Sequence, residues 1–204
     1  MEPLHLLGLA LGMLMLLRKR VIKQCQHIAL LLVYSQGAIY QLCILGWKYM
    51  RTHSYKLAEQ FFMQAKTICP SDPLVYNELG VVAYNMKEYN KAVLWFEKTL
   101  KHIPSLSQMW EPTVVNLAHA YRKLKIYHEA ISCYERALAL STRSLSTYAG
   151  LAYTYHLQDN FTAAITYYHK ALWLKPDDQF CTEMLSLALV DEGRRGIDPK
   201  IEFR

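Results

Sequence analysis

The residues of this chain that could do chemistry stand three or four apart: Asn77, Val81 and Tyr84, then Asn116, His119 and Arg122, then Tyr153 and His156. At that spacing each set shares one face of a helix. The chemistry it supports is recognition. An extended peptide exposes backbone donors and acceptors, and an asparagine amide can satisfy one of each. The alternative for Asn77 and Asn116 is a bond to a neighbouring helix. Arg122 can attract acidic peptide residues or stand as a solvated basic position. His119 and His156 read as packing or hydrogen-bonding residues rather than metal ligands, because no HExxH or paired-ligand spacing accompanies them. No nucleophile–base pair, phosphate loop or carboxylate pair occurs at catalytic spacing, so no enzyme, metal or cofactor is expected.

The elements that must position these residues are written as an internal repeat. Ala58-Phe62-Ala65-Pro70, Ala92-Phe96-Thr99-Pro104, Ala130-Tyr134-Ala137-Thr142 and Ala164-Tyr168-Ala171-Pro176 share one pattern. The first two copies are 34 residues apart, as are the last two, while extra residues around Ser107 to Trp110 stretch the middle interval to 38. Thirty-four is the tetratricopeptide repeat (TPR) period. Tyr76, Leu79 and Gly80 precede Ala92 as Leu117, Ala118 and Tyr121 precede Ala130, and as Tyr148, Leu151, Ala152 and Tyr155 precede Ala164. Each unit is therefore a pair of helices, A and B. Small residues at the Gly80, Ala118 and Ala152 positions let A approach B, the helix B aromatic fills the gap, and the proline ends the helix. A single pair cannot bury its apolar face, so the units stack. The expected fold is all-α, a right-handed superhelical TPR solenoid whose A helices line a concave groove. Positions 5, 6, 9 and 12 of helix A face that groove, which selects the eight residues above.

Within this frame the expected units are about 39–72, 73–106, 111–144 and 145–178, with a capping helix over 179–190 and a flexible tail over 191–204. Phe62, Phe96, Tyr134 and Tyr168 are expected in the core, with Trp95 and Trp173 beside them. Asn160-Phe161-Thr162 satisfies the glycosylation pattern but reads as a helix-to-helix turn. The 204 residues carry a net charge of +6, of which only +3 falls outside residues 1–47. That balance does not call for nucleic acid. Five scattered cysteines without a CxxC pair argue against a disulfide framework or zinc site and for a reducing compartment, the nucleus and cytoplasm.

Leu6 to Leu17 is an apolar run followed by Arg18-Lys19-Arg20. It is short for a membrane span and has its charge on the wrong side for a secretory signal, so a membrane is not expected. A frame-shifted translation accounts for it better. Read one base out of register, the slots of Gly8, Gly12 and Met15 admit tryptophan, glycine and tyrosine. Those of Gln24, Ile28, Leu31 and Gln36 admit alanine, tyrosine, alanine and proline, which completes another TPR unit. On this reading residues 1–47 are frame-shifted, with register regained near Lys48, and segment 1–38 is a disguised repeat.

The strings Tyr49-Met50-Arg51-Thr52, Leu57-Ala58-Glu59-Gln60-Phe61-Phe62, Asn77-Glu78-Leu79-Gly80-Val81-Val82-Ala83-Tyr84 and Trp110-Glu111-Pro112-Thr113-Val114-Val115-Asn116-Leu117-Ala118-His119 go beyond a TPR consensus. With Leu172-Trp173-Leu174-Lys175-Pro176-Asp177-Asp178, they resemble the carboxy-terminal TPRs of the cell division cycle 16-type subunit (subunit 6) of the anaphase-promoting complex. That resemblance implies a non-catalytic scaffold in a ubiquitin ligase of mitotic progression. It implies other subunits of the complex as partners, among them a small accessory subunit whose amino-terminal segment threads the groove. Family members pair through amino-terminal TPRs absent from this chain, so homodimerisation is not expected. Two other classes compete. A chaperone adaptor would need Lys or Arg on the helix A where Ser146, Ala149 and Gly150 stand, and a membrane-anchored TPR receptor rests on Leu6 to Leu17 alone.

Overall fold

Apolar and small residues recurring at helical spacing between turn signals leave the chain little alternative to helices. In the computed structural model, which describes residues 37–196, every regular element is helical. The order is α1 (37–51), α2 (Tyr55–Ile68), α3 (Pro73–Asn85), α4 (Tyr89–His102), α5 (Glu111–Lys123), α6 (Tyr127–Leu140), α7 (Leu145–Leu157), α8 (Phe161–Leu174) and α9 (Gln179–Gly196). The apolar run Leu6–Leu17 and most of the frame-shifted reading lie outside the described residues. No helix among the described residues is long and apolar enough to cross a membrane. The chain divides into two compact units, Met1–Pro70 and Ser71–Arg204.

One contact repeats in both units. Residue eight of each repeat is small, and the aromatic of helix B lies on it. A Cβ added to Gly46 would stand 2.5 Å from the Phe62 ring, and one added to Gly80 would stand 2.5 Å from the Phe96 ring. In the later pairs Ala118 and Ala152 hold this place with no exposed surface. Phe62, Phe96, Tyr134 and Tyr168 are likewise wholly buried, as expected of the core aromatics. In the first unit Tyr49 of α1 also stacks on Phe61 of α2, 5.4 Å between centroids.

The A-to-B turn is also built one way throughout. His53, Lys87, Lys125 and Asp159 all take the left-handed conformation, with φ between 57° and 64°. Each sits just past helix A. The next amide reaches back to close the turn: Glu88 N–H donates to the Ala83 carbonyl at 2.9 Å, Ile126 to Tyr121 at 3.0 Å and Asn160 to Tyr155 at 3.0 Å. This is the Schellman pattern, which satisfies carbonyls that a helix end would leave bare. No glycine stands at any of these turns.

In the second unit each helix packs against its neighbours in sequence, and successive A helices also touch: α3 on α5, α5 on α7, α7 on α9. The A helices therefore lie on the inner side of the stack. Two hydrogen bonds fasten them. Thr113 Oγ1 donates to Asn77 Oδ1 at 2.8 Å, and Thr147 Oγ1 donates to Glu111 Oε1 at 2.7 Å. The extra residues of the middle interval form a 3-10 turn, Gln108–Trp110, that tucks Trp110 into the core with 6% exposure.

Two expectations are corrected. Trp173 is not core: it is 79% exposed, because five residues past Tyr168 it points about 140° away from the buried ladder. Trp95, one residue before Phe96, is half-buried and stacks on Tyr76 at 5.8 Å. Nor does the chain loosen at residue 191, since α9 continues to Gly196. Its last turns are held from the side: Asp191 Oδ2 is 3.3 Å from His156 Nε2, and Glu192 Oε1 accepts from Thr162 Oγ1 at 2.7 Å. Asn160 is a turn residue, its Oδ1 accepting the Ala163 N–H at 3.3 Å to cap α8.

Gly80→Val forces α3 away from the enclosed Phe96 ring. It should lower stability by about 1–3 kcal/mol, read as a lower urea midpoint of the helical circular dichroism signal. An unchanged midpoint would refute the packing. Lys125→Gly relieves a left-handed lysine and should raise stability by up to about 1 kcal/mol, read as a higher urea midpoint.

Candidate functional site

Helix A presents its groove-side residues because its opposite face is committed to helix B and to the preceding pair. Asn77, Val81 and Tyr84 of α3, Asn116, His119 and Arg122 of α5, and Tyr153 and His156 of α7 are each half-buried, neither core nor free surface. They are not equivalent. Asn77 spends its carbonyl on Thr113 and donates to Glu78 Oε1 at 3.2 Å, so its amide joins helices. Val81 packs against the core of the second unit.

Asn116 lies half-buried on α5, and the structure brings His119 and Tyr153 together around Arg122. Its guanidinium lies over the Tyr153 ring, 4.9 Å from the centroid, with Nη2 3.4 Å from His119 Nδ1. The Tyr134 hydroxyl donates to the same Nδ1 at 2.6 Å. Two donors aimed at one ring nitrogen require it to be an acceptor, so His119 is neutral and carries its proton on Nε2. Burial, and then the charges of Arg122 and Lys123, hold the imidazole down at about 4. Tyr134 is in turn pushed up to about 12, chiefly by burial, and stays a hydroxyl. Tyr84 is raised by burial against the opposing pull of Arg122, and meets Tyr89 edge-on at 5.4 Å.

Toward α9 the face continues through aromatic contacts. Tyr153 meets Phe180 edge-on at 5.9 Å, and Phe180 is 46% exposed. His156 sits edge-on to Phe161 at 5.4 Å and to Tyr168 at 6.4 Å, with Nε2 turned to Asp191. Three buried polar atoms at this centre find no hydrogen-bond partner: Arg122 Nε, His156 Nδ1 and the Tyr168 hydroxyl. Buried polar groups are ordinarily satisfied, so these three atoms are exceptions within the chain.

Sequence reasoning placed the A-helix residues on this face but missed the hydroxyls of Tyr134 and Tyr168, which belong to core side chains. The signal was present in the change from Phe62 and Phe96 to Tyr134 and Tyr168 at one repeat position, a change that adds only an oxygen. It missed Gly150 as well. A Cβ there would lie 2.7–2.8 Å from the Tyr134 ring and hydroxyl, so the glycine admits the tyrosine that holds His119.

Tetratricopeptide repeat models match residues 114–144 and 147–182. The chain is 79% identical over 160 residues to anaphase-promoting complex subunit 6 of Arabidopsis thaliana, covering 78% of this chain and 30% of that protein. It is 40% identical over 155 residues to the cell division cycle protein 16 homolog of Homo sapiens, covering 74% and 25%. The chain thus spans less than a third of the length of these curated relatives. Among solved structures, the crystal structure of the APC/C hetero-tetramer Cut9-Hcn1 superposes with a TM-score of 0.69 at 32% identity, over 72% of this chain and 29% of that one. The MamA protein superposes equally well, at 0.69, but at 20% identity over 79% of this chain and 86% of that one, a likeness of fold alone.

His119 is neutral when folded and titrates at its ordinary value when unfolded. The unfolded chain therefore binds more protons between about pH 6.5 and pH 4, so stability is full above that window and falls as pH drops through it. The contribution approaches about 1.4 kcal/mol per pH unit at its steepest. His119→Asn keeps an acceptor for Tyr134 and does not titrate. The difference in urea midpoint between wild type and this variant should change across that window, and a constant difference would contradict the assignment.

Proposed function

The chain belongs to the anaphase-promoting complex subunit 6 family, and from that premise we propose that it is a non-catalytic TPR scaffold segment of this ubiquitin ligase of mitotic progression, binding other subunits of the complex. What supports the reading, beyond the 79% identity, is one observation. The A-helix face of the second unit carries the half-buried Asn116, His119, Arg122, Tyr153 and His156, with the Arg122 guanidinium laid over the Tyr153 ring. An extended peptide supplies acceptors at regular intervals and side chains that fill aromatic clefts. The finer proposal is that the occupant is the amino-terminal segment of a small accessory subunit. The solved relative Cut9 is named in complex with Hcn1, which is the precedent for a two-protein assembly. Proposed with it is residence in the nucleus and cytoplasm, where the complex works.

The chaperone-adaptor alternative gains nothing from the structure. Gly150, on the helix where that class would need a cation, is occupied in making room for Tyr134. The receptor alternative rests on a segment outside the described residues.

A tagged copy of the chain should co-purify with other subunits of the complex, and their absence from the pull-down would count against the scaffold reading. An Asn116→Ala, Tyr153→Ala double variant with a wild-type melting curve should capture about tenfold less accessory subunit, the loss expected when an aromatic anchor is removed.

A further inference from the structure

Arg122 is a half-buried cation, and among the described residues no carboxylate pairs with it. Its contacts are the Tyr153 ring, the neutral His119 and the Tyr134 hydroxyl, none of them an anion. A guanidinium withdrawn this far from water is normally balanced by an anion. Other acids could have served: Asp191 reaches the same face from α9 but is engaged by His156 Nε2 at 3.3 Å and Arg194 Nη1 at 3.5 Å. Arg122 Nε also has a proton for which the chain supplies no acceptor.

We propose that Arg122 is the receptor for a single carboxylate, an aspartate or glutamate side chain of the segment bound on the A-helix face, with Tyr153 fixing the guanidinium plane beneath it. This rests on the peptide-binding reading above and adds the chemical class of one residue of the ligand. The site holds one net positive charge. His119 accepts two hydrogen bonds at Nδ1 and is uncharged, Asp191 faces both His156 and Arg194, and Lys123 is solvent-exposed. A monoanion matches it, and the dianion of a phosphorylated residue does not. The planar fork of arginine also suits a carboxylate, and stacking on Tyr153 reduces the freedom lost on binding. His119 and Tyr134 act here as positioning residues that hold Nη2 from behind.

The test uses the full chain and the probe sodium N-acetylglutamate, with N-acetylglutamine at equal ionic strength as the uncharged control. The acid should raise the melting temperature saturably, by about 2–5 °C at tenfold excess over half-saturation, and the amide should not. Arg122→Met should abolish the response, and Arg122→Lys, which keeps the charge without the fork, should at least halve it. Should the methionine variant fail to fold, the lysine variant and the acid–amide contrast in wild type decide the matter. An equal response to acid and amide, or an undiminished response in either variant, would overturn the proposal. A stronger response to N-acetyl-O-phosphoserine would overturn the choice of a monoanion. Loss of subunit capture with the acid response intact sinks the scaffold reading alone, whereas capture without any acid-specific response sinks the carboxylate site alone.

Discussion

The distance between helix A and helix B decides everything else in this molecule. At Gly80 the Phe96 ring lies where a Cβ would be, and that closeness lets a 34-residue pair bury an aromatic completely with two short helices. Once the aromatic is enclosed, the pair has a smooth outer side for the next pair to stack on. The inner face inherits its geometry from this contact. Arg122 meets Tyr153 because α5 and α7 are held at the spacing that the enclosed aromatics dictate.

In the third pair the same core position does a second job. Tyr134 is wholly buried, yet its hydroxyl emerges on the inner face to fasten His119. The core therefore sets the protonation of a groove residue, and packing and recognition share one side chain. Gly150 belongs to this arrangement rather than to the helix-pair contact, because the atom it makes room for is on the preceding helix B. A hydrophobic ladder with polar tips gives the face its hydrogen-bonding character without exposing the ladder.

The pairing of helices was legible because it rests on periodicity, and Ala58, Phe62 and Ala65 repeat too regularly to mean anything else. The site was legible only in part. Position within helix A told which residues turn inward, but not that Asn77 would be consumed by Thr113, since that bond joins residues 36 apart whose partner choice depends on helix spacing. The left-handed turns were hidden because Lys87, Lys125 and Asp159 occupy a conformation usually marked by glycine. Trp173 was misplaced because hydrophobicity was weighed above angle. The last turns of α9 were missed because Asp191 and Glu192 look like tail residues until His156 and Thr162 are seen beside them.

The neighbour-only packing of α3 to α9 has a consequence for how such a chain comes into being. Its principal contacts join helices adjacent in sequence or one pair apart, so almost no loop-closure entropy must be met before a contact forms. Each helix pair can close within moments of leaving the ribosome, using the pair already made as its template. Assembly of these helices then runs in the direction of synthesis, each laid on the pair made before it.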